Sequence, residues 1–258
     1  PLGFTVAPET LALCRQMVAA GEVDALVPER VWQETLKALN TERPDAYFQL
    51  LRDVGALKIL FPELDALFGI PQPAKWHPEI DTGVHILMAL QQSARLKLSP
   101  RARFAVLCHD YGKALTPSAE LPSHKQHERR GVPPVEVCCA RLKVPTDFRE
   151  LAIKVTQFHL HMHQVPHMRA ATIHDLLLQL DAFRRPDMLM DFIAACECDA
   201  RGRLGLEDRE YPQAQTLQRA LAAAKAVPIQ ALLDKGYDGA HLGEEIRRAR
   251  IAAIGAVL

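Results

Sequence analysis

Neither sign of charge prevails in this sequence: 31 basic residues face 31 acidic ones across 258 positions. No whole-molecule field therefore draws it to nucleic acid or a membrane, although a local basic face stays open, because summed charge says nothing of distribution. No apolar run approaches the ~20 residues of a membrane helix. No basic stretch followed by an apolar one opens the chain, so neither a membrane span nor a signal peptide is expected. The six cysteines, Cys14, Cys108, Cys138, Cys139, Cys196 and Cys198, include no C-x-x-C pair. They make a poor disulfide framework and read as reduced, mostly buried thiols of a cytoplasmic protein. Cys196 and Cys198 could touch a metal, but buried packing is the simpler reading. A glycine-rich phosphate loop is missing, which removes support for a nucleotide-binding regulator. Missing too is an initiator methionine: the chain begins Pro1-Leu2-Gly3, as a fragment of a longer or processed protein would.

What is present is helix. With 48% hydrophobic and 24% charged residues, the chain can bury a core without help from disulfides or a structural metal. Apolar residues recur at helical spacing, as in Val31, Leu36 and Leu39, while alternating strand patterns are scarce. Pro8 and Pro28 suit early helix positions, and Ser99-Pro100 is a cap with proline at the first helical residue. The stretch Phe68 to Pro78, with Gly69, Pro71, Pro73 and Pro78, reads as a loop. Helices are then expected over Thr82–Gln92, Ser99–Asp110, Pro134–Leu142, Asp147–Gln164, Ala171–Phe183 and Pro186–Ala200. Further ones follow over Tyr211–Ala226, Ile229–Lys235 and Leu242 to the C-terminus. The fold class is all-α, without repeats.

The chemistry concentrates in eleven histidines, most of them between positions 77 and 174. His109-Asp110 ends the apolar run Phe104–Cys108 and precedes Tyr111-Gly112-Lys113. An imidazole and a carboxylate delivered together at the end of a buried helix supply N and O ligands of intermediate hardness, suited to a divalent cation. Alone, such a pair is more often a hydrogen-bonded couple. Its context differs. His85 lies on the preceding helix, His124, His127, His159, His161 and His163 follow, and Asp199 stands in Glu197-Cys198-Asp199-Ala200-Arg201. The order H…HD…H…H…D spreads candidate ligands over several helices, as a site in a helical core requires.

That order, with Leu107-Cys108-His109-Asp110-Tyr111-Gly112-Lys113, resembles the HD superfamily of metal-dependent phosphohydrolases. Nearly the whole chain is similar to the part of bacterial tRNA nucleotidyltransferases (CCA-adding enzymes) that follows their catalytic head. The segments Trp76-His77-Pro78-Glu79-Ile80-Asp81-Thr82-Gly83-Val84-His85, Glu29-Arg30-Val31-Trp32-Gln33-Glu34, Leu60-Phe61-Pro62-Glu63-Leu64 and Asp199-Ala200-Arg201-Gly202-Arg203 carry this resemblance. It implies a helical neck over residues 1–70, an HD domain over 71–203 and a helical tail over 204–258. It also implies His85, His109, Asp110 and Asp199 as ligands of one divalent metal, Ni²⁺, Co²⁺, Mn²⁺ or Mg²⁺. His127, opening His127-Glu128-Arg129-Arg130-Gly131, and His159 match further family histidines that complete a second metal site or orient the phosphate. Some relatives have an aspartate where this chain has Leu160, which puts a second metal in question. The paired carboxylates beside a glycine-rich strand and the acidic-Pro-Leu-Arg helix of the nucleotide-adding head are absent, so this chain alone is not expected to add CCA.

The implied substrates are 2′,3′-cyclic nucleotides, 2′-nucleotides and RNA ends bearing them, with tRNA and the head domain as partners. A bound divalent metal lowers the pKa of its water and neutralises phosphate charge. Catalytic roles fall to Asp110, Lys113, His127 and His159. Lys113, Arg129 and Arg130 are candidates for gripping a substrate phosphate, each weighed against simple exposure. Helical spacing puts His159 and His163 on one face and His161 on the other. His77 reads as structural, and Arg247, Arg248 and Arg250 as an exposed basic face that RNA could meet. A catalytically minor tRNA-binding module is the alternative reading.

Overall fold

Proline sets most helix starts, at positions where the missing N–H has no intrahelical partner to lose. In the computed structural model, which describes Thr5–Leu258, α1 (Pro8–Ala19), α2 (Pro28–Leu39), α3 (Pro44–Asp53), α4 (Leu57–Leu60) and α5 (Pro62–Asp65) form the N-terminal part. The opening Pro1-Leu2-Gly3 lies outside the described residues. A loop then leads to α6 (Thr82–Arg95), α7 (Pro100–Cys108), α8 (His127–Arg130), α9 (Val132–Leu142) and α10 (Thr146–Gln164). The remainder is α11 (Ala170–Gln179), α12 (Pro186–Arg201), α13 (Pro212–Lys225), α14 (Ile229–Leu233) and α15 (Gly239–Gly255). The fold is all-α. Among the described residues the sole β feature is an isolated bridge between Pro71 and Asp81, and no helix is long and apolar enough to cross a membrane.

Caps fix the two helices that matter most. The Asp81 carboxylate accepts from Val84 N (2.9 Å) and starts α6; Ser99 Oγ accepts from Ala102 N (3.1 Å) and starts α7. Such caps contribute about 1 kcal/mol each. Sequence periodicity carries α7 to Asp110, but the helix stops at Cys108. His109 keeps helical angles while Asp110, at φ −108 and ψ 11, leaves them and leads into a 3₁₀ turn over Tyr111–Leu115. The His-Asp pair thus sits where the chain turns, and its two side chains meet at 3.2 Å.

The chain divides into two compact units, one running to His159 and resuming over Ala194–Arg209, the other formed by Leu160–Ile193 and Glu210–Leu258. In the first, Trp32 meets Phe104 and Phe148 edge-on, with centroids 5.2 and 5.1 Å away. Such contacts contribute roughly 0.5–1.5 kcal/mol each beyond the buried area. Leu39, Phe48, Leu57, Phe61, Leu64, Ile86 and Leu90 have no exposed surface. Arg103 is buried, and its guanidinium donates to Leu39 O (2.8 Å), Thr41 O (2.7 Å) and Leu98 O (3.0 Å), satisfying carbonyls at helix ends. Arg141 ties α9 to α5 through a two-point contact with Glu63 (2.8 and 2.6 Å).

In the second unit α11, α13 and α15 pack together around Leu176, Leu177, Leu217, Leu221 and Ile254. The three arginines of α15 have partners there or along the helix. Arg247 meets Asp175 (3.4 Å), Arg248 meets Glu245 (3.0 Å) and Arg250 lies 4.1 Å over the Phe183 ring. Five cysteines are buried, Cys14 is half-buried, and all six are unpaired thiols. Burial pushes the Cys196 and Cys198 thiols well up, which keeps them protonated.

Candidate metal centre

Glycines let the site close. A side-chain carbon at Gly202 would lie 2.4 Å from Ala89 Cα, so only glycine lets the end of α12 press against the middle of α6. Ala89 is one turn beyond His85 and Gly202 one turn beyond Asp199, and this approach sets His85 Nε2 3.1 Å from Asp199 Oδ1. A carbon at Gly112 would lie 2.0 Å from His127 O and 2.6 Å from Gly131 N. The turn after Asp110 therefore seats directly on α8, with His127 Nε2 3.3 Å from Asp110 Oδ1. A carbon at Gly131 would lie 2.7 Å from the Thr156 methyl of α10, three residues before His159.

The buried side chains of His85, His109, Asp110, His127, His159 and Asp199 fall into two groups joined by one carboxylate. Asp110 Oδ2 is 3.2 Å from His109 Nε2 and 4.0 Å from His85 Nε2. Its Oδ1 is 3.3 Å from His127 Nε2 and 3.9 Å from His159 Nε2. The donor atoms of His85, His109 and Asp199 lie within 4.8 Å of one another, as do those of Asp110, His127 and His159.

Backbone carbonyls fix the imidazoles. Nδ1 of His109 donates to Val106 O (2.8 Å), that of His127 to His124 O (2.8 Å), and that of His159 to Val155 O and Thr156 O (both 3.1 Å). With Nδ1–H committed outward, each ring turns Nε2 into the cluster, the arrangement typical of metal-ligating histidines. His127 Nε2 and His159 Nε2 then face one another at 3.1 Å; two lone pairs at that distance require a proton or a cation between them. His109 Nε2 and Asp110 Oδ1 are buried without an aligned hydrogen-bond partner; the short distances above are off the donor axis. Imidazole nitrogens and carboxylate oxygens of this kind fit a divalent transition metal.

Electrostatics agrees. Burial lowers the His109 pKa, but the charges of Asp110 and Asp199 outweigh it and raise it to about 10. Burial would lift the Asp110 carboxyl, yet His109 and Lys113 hold it well below the ordinary range. Burial, then His127 and His109, press His159 well below its usual value and keep it neutral. Lys113 is buried, with Nζ 2.6 Å from Asp110 Oδ2 and 2.5 Å from Gln72 Oε1.

Other residues singled out by sequence are placed as follows. Arg129 is exposed. Arg130 instead binds its own loop, through Leu115 O (3.3 Å), Glu120 (3.4 Å) and Lys125 O. His161 is exposed, and His163 bonds Tyr211 Oη (2.9 Å). His124 joins Thr116 Oγ1 (2.8 Å) to Pro71 O (2.9 Å), staying outside the cluster. Sequence reasoning missed Glu79, Gln72 and Arg203. Glu79 Oε1 lies 2.9 Å from His77 Nδ1 and 3.0 Å from His85 Nδ1, and those imidazoles overcome burial to lower its pKa. Arg203 Nη2 donates to Asp199 Oδ1 (3.1 Å). The only signal for Glu79 and Arg203 was their place inside the two distinctive segments at 76–85 and 199–203; Gln72 had none.

Fold and site together define an all-helical protein with a buried histidine–aspartate centre suited to a divalent cation. The chain is homologous to multifunctional CCA proteins over essentially its whole length. It is 52% identical to the Multifunctional CCA protein of Acinetobacter baumannii (strain AYE) across 98% of this chain and 61% of that protein. The corresponding figures are 54%, 100% and 62% for the protein of that name from Alkalilimnicola ehrlichii, and 50%, 99% and 63% for that from Xanthomonas euvesicatoria pv. vesicatoria. The chain thus spans about three fifths of the length of these relatives, corresponding to their C-terminal portion. Residues 3–68 match a family described as "Probable RNA and SrmB- binding site of polymerase A".

Proposed function

We propose that the chain is an HD-type, metal-dependent phosphohydrolase acting in the cytoplasm on 2′,3′-cyclic nucleotides, 2′-nucleotides and related phosphomonoesters, linked to processing or repair of tRNA 3′ ends. One observation carries the reading: Asp110 turns one oxygen to His85 and His109 and the other to His127 and His159, whose Nε2 atoms face each other. His85, His109, Asp110 and Asp199 would hold the ion, with His127 and His159 completing a second position or orienting the phosphate. A divalent cation in that donor set, Ni²⁺, Co²⁺, Mn²⁺ or Mg²⁺, lowers the pKa of water and neutralises charge on a phosphate oxygen. Lys113, already in the cluster, would supply a point charge for a phosphate oxygen, and exposed Arg129 would meet the rest of an anionic substrate. Burial of the carboxylates and imidazoles excludes bulk water and strengthens each of these interactions. Residues 71–203 would be the hydrolase domain, flanked by a neck (1–70) and tail (204–258) that support a nucleotidyltransferase head in longer relatives.

The test is hydrolysis of 2′,3′-cyclic AMP by protein stripped of metal and resupplied with each ion. The expected result is turnover restored by at least one ion and abolished in Asp110→Ala. A folded protein inactive with every ion overturns the reading. A second reading, a tRNA-positioning module, rests on the match of residues 3–68 to an RNA-binding description; it predicts tRNA binding that survives Asp110→Ala.

A further inference from the structure

Trp76 is the side chain that folding explains least. Of the two tryptophans, Trp32 is 3% exposed in the core, whereas Trp76 is 58% exposed. An indole left in water forgoes one of the largest apolar burials available to any residue. Trp76 lies on the loop between α5 and α6, immediately before His77, whose ring centroid is 4.7 Å from that of His85. Its carbonyl accepts from Arg203 Nη1 (3.3 Å), and Nη2 of the same guanidinium donates to Asp199 Oδ1 (3.1 Å). The Trp76 backbone is therefore one guanidinium away from a carboxylate of the metal centre.

The loop that displays this indole is pinned. Gly69 N donates to Asp81 Oδ2 (2.6 Å), Gln72 N to Ile80 O (2.8 Å), and Leu204 N to Glu79 Oε2 (3.3 Å). Ile80 and Leu204, held by those contacts, are 49% and 56% exposed. The Lys75 ammonium stands 4.6 Å over the indole ring, a cation at an aromatic face. An exposed indole on a pinned loop, with a lysine over its ring, matches the needs of a nucleobase. Every base has a π-face to stack, and its sugar-phosphate carries the complementary charge.

We propose that Trp76 is the base-stacking platform of this site, so that nucleoside phosphates are preferred to phosphoesters lacking a base. The phosphate end of this inference rests on the phosphohydrolase reading above. The experiment compares release of phosphate from 2′-AMP and from glycerol 2-phosphate by the metal-loaded full chain and its Trp76→Ala and Trp76→Phe variants. It is run beside quenching of tryptophan fluorescence by 2′-AMP. Stacking predicts a KM for 2′-AMP raised about tenfold or more in Trp76→Ala, with kcat little changed and activity on glycerol 2-phosphate intact. Trp76→Phe retains most of the wild-type KM, and quenching requires Trp76. Equal losses on both substrates, or no change on either, overturns the proposal. A wild-type chain without turnover on either substrate removes the hydrolase reading instead, and quenching by 2′-AMP that is lost in Trp76→Phe then decides the stacking claim alone.

Discussion

Replacing Gly112 by alanine adds one methyl at the tightest backbone approach of any glycine among the described residues. Gly112 has no positive φ, so alanine fits its backbone, and the new methyl's surroundings decide the outcome. The methyl would lie 2.0 Å from His127 O, 2.6 Å from Gly131 N and 2.9 Å from Gly131 Cα, against 3.4 Å for ordinary contact. All three neighbours are backbone, so no rotamer change relieves the clash, and α8 must retreat by more than 1 Å. Alanine lowers unfolded-state entropy and thereby favours folding by roughly 0.4–1 kcal/mol. Overpacking of this kind costs about 1–3 kcal/mol, so a net loss near 1–2 kcal/mol is expected. For a chain of this size that lowers the melting temperature by roughly 2–8 °C. The retreat also draws His127 from Asp110, and a misplacement of ~1 Å costs on the order of 100-fold in rate. Thermal melting by circular dichroism and turnover of 2′,3′-cyclic AMP read the two effects. A Gly112→Ala protein that melts at or above the wild type, with unchanged turnover, refutes the reasoning.

Gly202→Ala acts on the other half of the site: its methyl meets Ala89 Cα at 2.4 Å and parts His85 from Asp199. Calorimetric titration should then show weaker cation binding, and unchanged affinity would contradict it. Glu79→Gln removes the charge that lies against both His77 and His85; cation affinity should fall about 10–100-fold, with the far-ultraviolet spectrum unaltered. In the metal-free protein His109 keeps a second proton up to a pH of about 10, far above its ordinary value. A cation that takes Nε2 must displace that proton, so affinity should climb as pH rises from 6 toward 10. Calorimetry in buffers of different ionisation heat should count at least one proton released; zero released would count against His109 as a ligand.

The all-helical fold was legible because helix signals are local: proline at first positions, Ser99 at a cap, and apolar spacing in α2. The end of α7 was not. Its apolar run continues to His109, and only the packing of Gly112 on α8 explains why the chain turns at Asp110. The cluster itself was readable from residue type, since few combinations of histidine and aspartate recur over successive helices as these do. Its supports were not readable. Glu79, Gln72 and Arg203 are types common on any surface, and two of them meet partners distant in sequence: Gln72 on Lys113, and Arg203 on Trp76. Lys113 reads as a phosphate ligand from its place after the His-Asp pair, while the structure holds it against Asp110. The three histidines at 159, 161 and 163 divide by helical geometry, with His159 buried in the cluster and His161 exposed.

Anomalous diffraction from crystals of the protein loaded with cobalt tests the metal centre most directly. The predicted result is a peak about 2.0–2.3 Å from His85 Nε2, His109 Nε2 and carboxylate oxygens of Asp110 and Asp199. A saturated protein whose cobalt peak lies elsewhere, with these side chains still hydrogen-bonded among themselves, would contradict the account.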